Sequence, residues 1–192
     1  KQNPHKEKLP TDPTDINLLK QLRKTVSERP DDLQGHILLV QIEAGLMNFL
    51  AASKAQKNIL RIKGHRSTIE DKFSYAEMLI LAARGYISPK AEGVLNQILS
   101  QDPDHAPSRY YIGLLFLQTD RPDRTFLLWR QLLEKSNPQS PWIEPIRSQI
   151  VEVALAAGVN DYVMPPVTNL EQSGPSPAEI EAVDEMSSEE RL

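Results

Sequence analysis

Counted from Leu33, a two-helix pattern recurs at Ile69 and again at Ala106, with spacings of 36 and 37 residues. Each unit opens with an apolar pattern of helical period (about 32–46, 68–84 and 106–119) and returns through a second one (about 49–62, 88–100 and 122–135). Breakers end the second segments: Gly64, then Asp102-Pro103, then Asn137-Pro138. Most of the 15 Pro residues fall between such segments, so they punctuate helices. A period of this size marks stacked supersecondary units, each packing on its neighbours along the chain.

The spacing is close to the roughly 34 residues of a tetratricopeptide (TPR) unit. Val40, Ala76 and Gly113 hold the equivalent small or helix-contact position, and small residues such as Ala52 and Ala91 in the second helices let the paired helices approach. Tyr75, Leu95, Ile112 and Trp129 fill the space between neighbours. The pattern is degenerate. His36 stands where such repeats often carry Trp, Thr125 where they favour Ala, and Gly85-Tyr86-Ile87-Ser88-Pro89 lengthens the second turn by about three residues. Ahead of the repeats, Leu18, Leu19, Leu22 and Val26 lie at helical spacing up to Arg29-Pro30; after them, a last helix of about 142–157 ends at Gly158. The expected fold is therefore all-α: a TPR-like right-handed helical repeat solenoid with N-terminal and C-terminal capping helices. It occupies 14–158, with repeats at about 33–64, 69–103 and 106–138. Residues 1–13 are expected to be a linker, and 159–192 a largely extended acidic tail with short helical segments.

Several function classes find no support. The absence of Cys removes disulfides, thiolate metal sites and a thiol nucleophile. No apolar run reaches the roughly 18–20 residues of a membrane span. The net charge of −4 conceals an asymmetry: 160–192 carries eight acids and one base, leaving an excess of three bases in 1–159. That excess is too dispersed for a nucleic-acid footprint. His5, His36, His65 and His105 are not at metal-ligand spacing; His36 is expected to pack between helices and His65 to face solvent. Asp31, Asp32, Asp102 and Asp104 sit at helix beginnings, where capping explains them. No nucleophile motif or Gly-rich phosphate loop occurs, so no catalytic residue, metal or cofactor is expected.

In TPR arrays the first helix of each pair lines a concave groove. The positions that would do so here include Ile37 and Gln41 in the first unit, Glu70, Phe73, Glu77 and Ile80 in the second, and Tyr110, Leu114 and Leu117 in the third. The cationic clamp of TPRs that hold a terminal carboxylate is absent from these positions. An apolar, aromatic groove with acids at Glu70 and Glu77 fits an amphipathic helix bearing basic residues.

Arg29-Pro30-Asp31-Asp32, Ser74-Tyr75-Ala76-Glu77, the 85–89 turn, Asp102-Pro103-Asp104, Pro122-Asp123 with Leu128-Trp129-Arg130, and Ser140-Pro141-Trp142-Ile143-Glu144-Pro145 resemble the periplasmic TPR domain of the CcmI/CycH family of c-type cytochrome biogenesis proteins. Gly174-Pro175-Ser176-Pro177-Ala178 and 186–191 resemble the tail of that family, so the likeness extends over about 14–191. It implies a fragment of an inner-membrane protein whose anchor lies outside this sequence. It also implies a chaperone that holds apocytochrome c, partly through a C-terminal helix, works with other cytochrome c maturation proteins and delivers its substrate to the haem ligation machinery. The periodicity itself stops at binding a peptide or helix; a generic TPR scaffold joining protein partners in a bacterial membrane complex is the alternative.

Overall fold

The computed structural model describes residues 13–166, and within them every regular element is helical. The elements are α1 (Pro13–Glu28), α2 (Leu33–Gly45), α3 (Phe49–Lys63), α4 (Ile69–Ala82), α5 (Pro89–Gln101), α6 (Ala106–Gln118), α7 (Pro122–Lys135), α8 (Ile143–Arg147) and α9 (Ile150–Ala156), with a 3-10 turn at Gly64–Arg66. From α1 to α7 each helix packs on the next in sequence, and α9 packs on α7. The expected linker, nearly all of 1–13, and the tail from 167 onward lie outside the described residues.

Local chemistry sets the helix starts. Asp32 accepts the Gly35 N–H (2.9 Å) at the head of α2. Thr68 and Asp71 form a reciprocal capping box on α4: Thr68 Oγ1 accepts from the Asp71 N–H, and Asp71 Oδ2 from the Thr68 N–H. Ser88 caps α5 just before Pro89, which occupies the position where a missing N–H costs nothing. His105 caps α6 through its ring, Nδ1 accepting the Ser108 N–H at 3.3 Å.

The turns inside the three helix pairs share one device. Met47, Arg84 and Asp120 adopt left-handed φ values of 59°, 54° and 57° after α2, α4 and α6. Around them Asn48 N–H reaches Glu43 C=O, Gly85 N–H reaches Ile80 C=O and Arg121 N–H reaches Phe116 C=O. Met47, Arg84 and Asp120 themselves donate to Ala44, Leu81 and Leu117. These are the paired bonds of a Schellman motif, which satisfies carbonyls that the helix end would otherwise orphan.

The long second turn is not left in solvent. Ile87 is 2% exposed and enters the cluster of Ala76, Ile80, Ala91, Leu95 and Ile112. Gln118 of α6 holds the turn, its Oε1 accepting the Ile87 N–H (3.0 Å) and its Nε2 donating to Gly85 C=O (3.0 Å). A second cluster joins Phe126, Trp129 and Leu132 of α7 to Ile146, Ile150, Val153 and Ala154. Trp129 is fully buried beneath Gly113, where any side chain would overlap the indole. Thr125 fits at its position because its hydroxyl donates to Gly113 C=O at 2.9 Å. At the other end, Arg23 of α1 forks onto the buried Glu43 of α2 (2.6 and 2.9 Å), and Asn48 donates to the same carboxylate at 2.8 Å. His36 is buried, as its sequence context led us to expect, with Nε2 donating to Pro30 C=O at 3.0 Å.

The single last helix expected over 142–157 is two short ones. Ser148 Oγ and Gln149 Nε2 both donate to Pro145 C=O (2.9 and 3.0 Å), while the Gln149 N–H turns to Ile146 C=O instead. Side chains thus take the carbonyl that continued α-helix would have used, and the chain bends between α8 and α9. After α9, Gly158 ends the helix with φ 81°, and Tyr162 returns to meet Phe126 edge-on at 5.0 Å.

Candidate functional site

The groove positions read from the sequence do not all meet. Phe73, Glu77 and Tyr110 do, and Tyr111 is what joins them. The Phe73 ring lies 6.0 Å from that of Tyr111, which in turn lies 5.2 Å from that of Tyr110. Tyr110 stacks on Trp129 at 5.9 Å with an interplanar angle of 18°, so the row is braced by the core of α7. His105 closes the other end, edge-on to Phe73 at 5.2 Å. Helical phase explains the assembly: α4 presents Phe73 and Glu77 four residues apart on one face, and α6 sets its Tyr pair against them.

Ile80 is a correction. It is 1% exposed and belongs to the core with Ala76 and Ile112, so it supports the wall and offers no surface to a ligand. Leu114 and Leu117 are half-buried against the core clusters, and Ile37 and Gln41 stand on α2, which packs chiefly on α1 and α3. Tyr111 and His105 escaped the sequence reading. The groove positions counted along a repeat single out Tyr110, whereas the neighbouring ring is the one that reaches α4. The adjacent Tyr pair was the available signal.

The two carboxylates of α4 differ in character. Burial pushes the Glu77 carboxyl above its ordinary value, against an opposing hydrogen bond from the Tyr111 hydroxyl. Burial also raises the Tyr111 phenol, with the Glu77 charge adding to the effect. Glu70 is exposed, and its carboxyl is held below the ordinary value by hydrogen bonding to Thr68 and to the backbone at the helix start. Desolvation lowers His105, with Asp102 and Glu70 acting in the opposite direction.

Together these groups form a shallow aromatic wall with one half-buried and one solvated negative charge. Such a surface takes a cation on an apolar stem: the stem lies over ring faces while the head reaches a carboxylate. Among the described residues, no group of three or more His, Asp or Glu is placed to hold a metal ion. No helix among them is long and apolar enough to cross a membrane.

Comparison with known proteins gives one informative relative. The chain is 28% identical over 143 residues to the cytochrome c-type biogenesis protein CycH of Rhizobium meliloti (strain 1021). The match takes in 74% of this chain but 37% of the relative's length. No family model and no solved structure matches.

Proposed function

With its membership of the CcmI/CycH family supported by both its motifs and its similarity to CycH, we propose that this chain is a chaperone domain for unfolded c-type cytochrome. The helices form a TPR-like right-handed array capped by α1 and by α8 with α9. The recurrence of one Schellman turn at Met47, Arg84 and Asp120, at nearly the period of the sequence repeat, supports that arrangement. The domain acts by binding, without catalysis. It serves in the periplasm, its parent protein is held at the inner membrane, and its substrate passes to the haem ligation machinery.

The observation that carries this reading is the aromatic wall of Phe73, Tyr111 and Tyr110 beside Glu77. A C-terminal cytochrome helix is amphipathic and rich in Lys. Its apolar stripe seats on the rings and on Leu114, while its ammonium groups approach Glu77 and Glu70. In the folded holocytochrome the same stripe is already buried, so the apo form is favoured.

Calorimetric titration with apocytochrome, holocytochrome and the isolated C-terminal helix peptide tests this. Apo form and peptide are expected to bind, and holo form much more weakly. Phe73→Ala is expected to cost about 1–3 kcal/mol of binding, as an aromatic anchor does. Equal affinity for apo and holo forms would sink the reading.

A further inference from the structure

A cavity of about 420 Å³ lies between α1, α2 and α3. Val26, Leu39 and Ala55 are among the residues that line it, and Arg23, Lys54 and Asn58 also border it. It lies where the first repeat departs from its pattern. His36, in place of the Trp such repeats often carry, forms part of the wall.

The charge around this cavity is distinctive. Residues 13–63, which carry α1 to α3, hold eight bases and five acids, an excess of three that equals the whole basic excess of 1–159. Lys54 and Lys57 are exposed and without an ion-pair partner among the described residues, whereas Lys63 and Arg61 are committed to Asp71 and Asp31. Arg23 and Lys54 are the two bases of the lining; Arg23 is committed to Glu43, which also lines the cavity, so Lys54 is the cation left beside the apolar floor, with Lys57 one turn further along α3.

The chain supplies a segment of matching chemistry. Within 178–187, Ile180, Val183 and Met186 recur every third residue, with Glu179 just before them and Glu181, Asp184 and Glu185 between them. We propose that this segment docks intramolecularly in the α1–α3 cavity, its apolar residues on the floor and its acids facing Lys54 and Lys57. The acids Glu70 and Glu77 make the α4 wall a repulsive alternative. Residues 167–180 can span up to about 45–50 Å from Pro166, a reach comparable with the length of a small domain. The docking is independent of whether the aromatic wall binds cytochrome.

The chain has no Cys, so introduced thiols report a single pair. In the full chain, Asn58→Cys with Ser187→Cys is oxidised and compared with Ser100→Cys with Ser187→Cys, in which position 100 is an exposed site on α5. The Asn58 pair is expected to close a disulfide within one molecule at least about tenfold faster, reflecting a raised effective concentration. The rate should not change on dilution, and should fall to that of the Ser100 pair in about 0.5 M salt or when Ile180→Asp and Met186→Asp are added. Those two substitutions lie outside the described helices, and an unchanged helical circular dichroism signal shows the domain intact. Equal rates for the two pairs would overturn the proposal. So would products that are intermolecular and increase with protein concentration, since they place a second copy's tail in the cavity.

Discussion

A side chain at Gly113 would overlap the Trp129 indole, and Thr125 donates to the carbonyl of the same glycine, so this one position sets how closely α6 and α7 approach. Gly113→Ala is therefore expected to destabilise the fold by about 1–3 kcal/mol through overpacking, read as a lowered urea midpoint with unchanged slope. That this is a helix-contact position was legible from its equivalence with Val40 and Ala76, but Val40 at the first of them shows that the need for glycine itself was not. The partner of Thr125 was not, because its bond reaches twelve residues back onto another helix and depends on the packed geometry. Tyr111 shows the same limit in the candidate site. Repeat counting picks the adjacent Tyr110, but Phe73 and Glu77 decide which ring completes the wall, and they come from a different helix.

For the helices as units, boundaries were readable wherever a local cap fixes them, as Asp32, Thr68 and Ser88 do. The break between α8 and α9 was hidden because Ser148 and Gln149 are unremarkable helix residues until both take the Pro145 carbonyl. The head of α4 also carries a pH dependence. Burial alone would raise the Asp71 carboxyl, but the hydrogen bond from Lys63, those involving Thr68 and the Lys63 charge outweigh it and hold the group below its ordinary value. Its contribution is therefore present above the unfolded value near pH 3.9 and lost as pH falls through the lower folded value. Asp71→Asn is expected to cost about 1–2 kcal/mol at neutral pH and progressively less on acidification through that window, measured by chemical unfolding at a series of pH values.

Across the whole molecule, the proposed binding of a basic helix should be sensitive to acid in two stages set by the two α4 carboxylates. Glu77, raised by burial, takes up a proton at a pH above the ordinary glutamate value of about 4.3, while Glu70, held low, stays charged. Affinity for a Lys-rich helix should weaken first as pH falls through the Glu77 value, and Glu77→Gln should remove that first stage while leaving the second. Titration calorimetry from about pH 7 to 4 reads the first stage, and its extension below the ordinary glutamate value of about 4.3 reads the second. The seam at Ile87 bears on how the array opens. In a linear array, terminal units are free to fray without their neighbours, yet Gln118 of the third pair clamps the connecting turn of the second. Those two pairs should then exchange their amide hydrogens as one cooperative block, with α1 to α3 exchanging sooner. Gln118→Ala, which strands the Ile87 N–H beside a buried side chain, should split that block in two, leaving two smaller folding units where the clamped array has one.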